Sequence, residues 1–350
     1  MTPMERYQLT PEHNISRVLK GGWQLAGGHG SIDRNQALDD MRRYVEAGIT
    51  TFDCADIYTG VEALIGQFRR RERDAFASGA LPPIQVHTKY VPDLALLPHL
   101  TYEHTEAIID RSLQRLGVER LDLVQFHWWD YDIPGYVEAA CHLHRLQEAG
   151  KIKHVAVTNF DVPHLSEILE AGVRVVSCQV QYSVLDQRPT KALVDLCRRE
   201  DMHLLCYGTV AGGFLSDRYL GAPEPQHPLE NRSLTKYKLI IDDFGGWELF
   251  QELLRALRQV ADRHGVSMAT VASRYVMQRE RVAGVIVGAR HARHLDDTKK
   301  LGTFALDTQD KAAIEAVTAR AQGPSGRVYE LERVKGGHHA SIMKYNLNKE

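Results

Sequence analysis

The sequence is poor in the features that mark several protein classes. Five cysteines among 350 residues are scattered and never spaced as CxxC, so neither a disulfide framework nor a zinc site is implied. No apolar run approaches the roughly 20 residues of a membrane-spanning helix. The opening MTPMERYQLT has no apolar signal core, and the expected location is the cytoplasm. Charge is nearly balanced, with 43 Lys and Arg against 45 Asp and Glu for a net −2. That leaves no electrostatic footprint for nucleic acid or an anionic membrane. Seventeen histidines are present, yet none has HExxH or Cys/His ligand spacing, so no metal is expected. What is there, 43% hydrophobic and 25% charged residues, is the composition of a folded globular chain.

Short runs rich in Val, Ile and Leu alternate with longer stretches of helical spacing. Strands are predicted at 15–20, 50–54, 84–89, 121–126, 154–157, 175–179, 203–206 and 282–287. Helices are predicted at 33–47, 101–116, 136–149, 164–171, 190–200 and 246–264. Asp33 is placed to cap the first helix, and Gly48, Gly150, Gly172 and Gly265 follow four of them. Repeated strand–helix units imply a parallel sheet covered by helices. An open nucleotide-binding sheet advertises G-x-G-x-x-G after its first strand. Here Gly27-Gly28-His29-Gly30 is followed by Asp33 at the third glycine position, and the fingerprint is not met. The prediction is a closed (β/α)8 TIM barrel, one domain over 1–321. A long connection at 209–245 follows the seventh strand, and a tail at 322–350 lies over or beside the barrel.

Barrel enzymes gather their chemistry at the carboxyl ends of the strands. The second strand runs out through Phe52-Asp53-Cys54-Ala55-Asp56-Ile57-Tyr58, the third through His87-Thr88-Lys89-Tyr90, and the fourth through Gln125-Phe126-His127-Trp128-Trp129. A Lys at a buried strand end needs a partner, and Asp53 is the neighbouring acid. A phenol beside that ammonium is expected to have its pKa lowered below about 10, which makes Tyr58 a proton donor to a forming alkoxide. His127 is placed to orient a carbonyl oxygen. His87, two residues before Lys89, reads as a hydrogen-bonded barrel histidine, Asp56 as a loop hydrogen-bonder, and 69–73 as a solvated helix end. A metal-dependent hydrolase would need histidines after the fifth and sixth strands, where Thr158-Asn159 and Gln179 stand.

FDCADIY, TKY and FHWW together resemble the catalytic tetrad of the aldo-keto reductase superfamily, and the resemblance covers roughly residues 15 to 320. It implies an oxidoreductase that reduces an aldehyde or ketone, with Tyr58 as general acid, Lys89 and Asp53 tuning it, and His127 orienting the carbonyl. It implies NADPH, with NADH as the alternative, held extended across the barrel mouth. On this resemblance Thr158, Asn159 and Gln179 hold the carboxamide, and Tyr207 stacks on the nicotinamide. Thr209, Val210, Gly212, Ser216 and Arg218 belong to a pyrophosphate loop, and Gly288, Arg290, His294 and Asp297 to an adenosine-phosphate site. Asp53 and Trp23 also border the cofactor. His294 and Thr298 depart from the family's common Gln or Arg and Asn, whereas Arg290 keeps a permanent charge for a 2′-phosphate. Trp23, Trp128 and Trp129, with Tyr58 and His127, are expected around a small carbonyl substrate. A nucleotide-sensing relative with slow turnover stays open beside the enzyme reading.

Overall fold

The predicted strands pair in parallel and close on themselves. The structure, a computed structural model, describes residues 4–27, 30–288 and 290–348; Gly28 and His29 of the glycine run and Ala289 lie outside them. The chain opens with an antiparallel hairpin, β1 (Arg6–Thr10) and β2 (His13–Ser16). The barrel strands are β3 (Val18–Gly21), β4 (Thr51–Asp53), β5 (Gln85–Tyr90), β6 (Leu123–Phe126), β7 (Val155–Thr158), β8 (Ser177–Gln181), β9 (His203–Tyr207) and β10 (Val282–Gly288). β10 pairs with both β9 and β3, which closes the ring into a (β/α)8 barrel.

The predicted first strand is two elements. Ile15 belongs to the hairpin and Val18 to the barrel, with the chain turning at Arg17. Arg17 anchors that turn by donating to the carbonyls of Met277 and Val282. The hairpin plugs the bottom of the barrel: Leu9 and Ile15 pack against the inward side chains Leu19, Leu123, Ala156, Val176, Leu205 and Ala283. Above this plug His87 meets His13 across 2.9 Å, so the barrel histidine is hydrogen-bonded.

The helical layer begins with α1 (Arg34–Glu46), capped by Asp33, and continues through α2 (Val61–Arg71), α3 (Arg73–Ala77), α4 (Tyr102–Leu116), α5 (Tyr136–Glu148), α6 (Val162–Glu170) and α7 (Ala192–Arg199). The 209–245 connection contains a helix, α8 (Arg232–Phe244), which the sequence reading treats as loop. Leu234, Tyr237, Ile240, Ile241 and Phe244 form its buried stripe, and Asn231 caps it through the Leu234 N–H. Then come α9 (Gly246–His264), α10 (Met268–Met277), α11 (Leu295–Lys299) and α12 (Thr308–Thr318). The tail adds α13 (Glu330–Arg333) and α14 (His338–Ser341). Among the described residues no helix is long and apolar enough to cross a membrane.

α2 and α4 approach each other at Gly66, where an added Cβ would stand 2.1 Å from the Arg115 carbonyl oxygen. Backbone cannot yield there as a flexible side chain would. Gly66→Ala should therefore lower the unfolding free energy by about 1–3 kcal/mol, read as an earlier urea midpoint. An unchanged midpoint would show that the two helices separate without cost.

Candidate active site

Register brings the strand-end residues to one level. Asp53 of β4 lies opposite His87 of β5, Lys89 opposite Gln125 of β6, and Thr158 of β7 opposite Gln179 of β8. Alternation along each strand turns Asp53, Lys89, Gln125 and Gln179 inward. The Lys89 ammonium reaches both Asp53 carboxylate oxygens at 2.9 Å and donates a third bond to the Cys54 carbonyl at 2.9 Å. Gln125 and Gln179 donate to Asp53 Oδ1 at 3.1 and 2.6 Å. Asp53 and Lys89 are both about 5% exposed or less, so this polar layer is sealed from below. Burial alone would lower the Lys89 pKa, but Asp53 and Tyr58 outweigh it and hold it above the ordinary lysine range.

Tyr58 stands on the loop after β4, with Lys89 Nζ 5.1 Å from its ring centre. Its pKa is pushed up to about 12, against the sequence expectation of a lowered value. Burial is the larger effect and Lys89 only opposes it. The phenol therefore keeps its proton across the physiological range. Trp23, in a single 3₁₀ turn after β3, tilts against Tyr58 at 5.1 Å.

His127 follows β6. Its Nδ1 lies 3.2 Å from the Thr158 carbonyl oxygen. A carbonyl only accepts, so Nδ1 carries the proton and the Nε2 lone pair is left, buried and without a hydrogen-bond partner. Burial, helped by Arg333, lowers the His127 pKa to about 3. Trp129, two residues on, meets the His127 ring edge-on at 4.4 Å and borders the cavity. Trp128 does not. It is fully buried, donates to the carbonyls of Asp130 and Ile133, and packs on Phe126 and Tyr136. Alternation continued past the end of β6 keeps Trp129 on the side of His127 and sends Trp128 outward to the helices.

These groups open into a cavity of about 610 Å³ at the carboxyl ends of the strands. Its wall includes Trp23, Asp53, Tyr58, Lys89, His127, Trp129, Thr158, Asn159, Gln179, Tyr207, Thr209, Val210, Gly212, Gly288, Arg290 and His294. Asn159 adopts a left-handed φ of 62°, and its side-chain oxygen accepts from the Tyr207 hydroxyl at 2.9 Å. The hydroxyls of Thr158 and Thr209 are engaged by the Gln179 carbonyl and by Ser273. Three predicted contacts lie off this wall. Ser216 bonds the Gly213 carbonyl, Arg218 is exposed and pairs with Glu230, and Asp297 accepts from Ser267 and Thr270 at the start of α10. These bonds hold each of the three away from the cavity wall.

The long connection and the tail close the mouth, as the sequence reading expects, but that reading names none of their residues. α8 contributes Arg232, Lys236 and Tyr237, and the tail contributes Tyr329, Met343 and Leu347. Arg333 donates to the carbonyls of Trp128 at 2.7 Å and Asn159 at 3.0 Å, which staples the tail to the ends of β6 and β7. Asn348 donates to the Val91 carbonyl and to Asp56, whose carboxylate also takes the N–H groups of Ile57 and Val91. The periodic apolar stripe of α8 was a readable signal; the tail's bonds had none.

The residues suit a nicotinamide dinucleotide. His127 Nε2 is a buried polar atom in want of a partner, Gly208 and Gly212 take φ of 75° and 66° in the loop after β9, and Arg290, Arg293, His291 and His294 gather at the far end. Among the described residues no three His, Cys, Asp or Glu side chains gather as a metal site.

Comparison with known proteins agrees. The model of the aldo/keto reductase family matches residues 17–319. Flagellar radial spoke protein 5 of Chlamydomonas reinhardtii is 29% identical over 63% of this chain, a match that spans 48% of that longer protein. An NADH-specific methylglyoxal reductase of Escherichia coli is 28% identical over 59% of this chain and 67% of its own length. Glycerol dehydrogenase of Gluconobacter oxydans superposes with a TM-score of 0.74 at 21% identity, covering 90% of this chain and 95% of its own. An aldo/keto reductase of Klebsiella pneumoniae, solved with NADP and acetate, gives 0.67 at 18% identity over 93% and 98%.

With its pKa near 3, His127 is neutral wherever the protein is handled. Its ring resonances, assigned by comparison with His127→Gln, should not titrate above about pH 5. A midpoint between about 5 and 8 would contradict the fixed neutral tautomer.

Proposed function

Because the chain belongs to the aldo/keto reductase family, we propose that it reduces an aldehyde or ketone to an alcohol with a nicotinamide cofactor, NADPH ahead of NADH. The observation that carries the reading is the meeting of Tyr58, the Asp53–Lys89 pair and His127 at one cavity. Bound across the barrel mouth, the cofactor supplies the hydride. Tyr58 gives its proton to the carbonyl oxygen as that oxygen gains charge. A phenol whose pKa is near 12 is always loaded for this step but gives up its proton reluctantly. Lys89 stabilises the phenolate that remains, and each pKa unit it recovers is worth about 1.4 kcal/mol. Asp53 fixes Lys89 in that position. Thr158, Asn159, Gln179 and Tyr207 are assigned to the nicotinamide end, and Arg290 with Arg293 to a 2′-phosphate. The Klebsiella relative was solved with NADP, whereas the methylglyoxal reductase is NADH-specific, so the dinucleotide choice rests on those two arginines.

Tyr58→Phe tests the reading. It should lower kcat by about 10²–10⁴-fold while the NADPH dissociation constant, followed by tryptophan fluorescence, stays within about threefold. In the same titration NADH should bind more weakly. Near-normal turnover would remove Tyr58 as the acid, and equal affinities would remove the preference for NADPH.

A further inference from the structure

Four charged side chains meet beside the cavity from three separate elements. Asp186 and Arg188 follow β8, Lys236 lies on α8, and Glu332 on α13 of the tail. Arg188 holds Asp186 with two hydrogen bonds of 3.0 and 2.7 Å and stands 3.5 Å from Glu332. Lys236 Nζ lies 3.7 Å from Glu332 Oε1. Two acids and two bases balance, but they are not arranged evenly. Asp186 and Glu332 are 2% exposed or less and do not line the cavity, whereas Lys236 alone of the four does. The cluster therefore turns its positive pole toward the substrate space.

The Lys236 ammonium is held for that purpose without being consumed. Its Nζ sits 5.2, 5.6 and 5.9 Å from the ring centres of Tyr207, Tyr329 and Tyr237, an aromatic box that favours a cation. At 3.7 Å the Glu332 oxygen is in ion-pair range but beyond a hydrogen bond, and that oxygen is itself buried without a hydrogen-bond partner. Glu332 is thus the one acid in reach of Lys236 among the described residues, and it leaves ammonium donors open toward the cavity. The acids on the cavity wall do not compete, since Asp53 is bound to Lys89 and Glu230 to Arg218. Tyr329 connects this box to the reacting end: its ring centre lies 5.5 Å from that of His127 and 5.6 Å from Lys236 Nζ.

We propose that Lys236 selects carbonyl substrates carrying a second, anionic group, a carboxylate or a phosphate, at the end remote from the carbonyl. The inference rests on the carbonyl reductase reading above and names the substrate class of that site. The anion replaces water on Lys236 and takes up the open donors, while Tyr58 and His127 receive the carbonyl one aromatic ring away.

The test uses matched pairs with the wild-type chain and NADPH: 4-carboxybenzaldehyde against 4-carbamoylbenzaldehyde, and glyceraldehyde 3-phosphate against glyceraldehyde. The expected result is a kcat/KM at least about tenfold higher for the anionic member of one pair, and the pair that responds tells carboxylate from phosphate. Lys236→Met should shrink that ratio toward one, and Lys236→Arg should keep most of it. Ratios near one in the wild type overturn the proposal without recourse to any variant. So does a ratio that Lys236→Met leaves intact. Turnover of the neutral aldehydes with no anionic preference sinks this inference alone. No turnover of any of the four, with NADPH or NADH, sinks the reductase reading with it.

Discussion

The Asp53 carboxylate is the constraint on which the site depends. It sits inside a barrel whose lower half is filled by Leu and Ala side chains and by the hairpin plug. A carboxylate there is tolerable only if its oxygens are filled, and Lys89, Gln125 and Gln179 fill them. Those three come from β5, β6 and β8, so the charge ties together strands that do not adjoin β4 except for β5. Closing the barrel in its correct register is what assembles the pair. The pair in turn sets an ammonium under the Tyr58 ring, and from that follows the proton chemistry.

A second layer works on the first from above. Arg333 grips the carbonyls of Trp128 and Asn159, the residues next to His127 and Thr158, and His127 is itself bonded to the Thr158 carbonyl. The tail therefore holds the backbone that fixes the imidazole tautomer. Asn348 ties the end of the tail to the loops after β4 and β5 through Asp56 and Val91. α8 and the tail share a roof in which Lys236 and Tyr329 touch.

Much of this was legible in the amino-acid order. The tetrad is spread over three strand ends, yet each member lies in a short local pattern, so spacing and inward alternation were enough to place Asp53, Lys89 and His127. The same alternation separates the adjacent tryptophans, since Trp129 shares the side of His127 and Trp128 takes the other. The Tyr58 pKa was read the wrong way because sequence shows the neighbouring ammonium but not how much protein surrounds the phenol. Ser216 and Arg218 sit in the irregular stretch after β9 and Asp297 on the short α11, where bonds to Gly213, Glu230, Ser267 and Thr270 decide where they point, and no periodicity reports that. α8 was obscured by the glycines and prolines that precede it, although its stripe from Leu234 to Phe244 has helical spacing. The reach of Arg333 to Trp128, across 205 positions, leaves no trace in one sequence.

The most direct test is a double-mutant cycle on kcat/KM for carbonyl reduction with Asp53→Asn, Lys89→Met and both together. If the two act as one unit beneath Tyr58, either single change removes nearly all that the pair contributes, and the double variant falls no more than about tenfold below the worse single. Losses that multiply, so that the double variant falls by the product of the two, would mean that Asp53 and Lys89 act independently and that the buried pair is not the centre of the site.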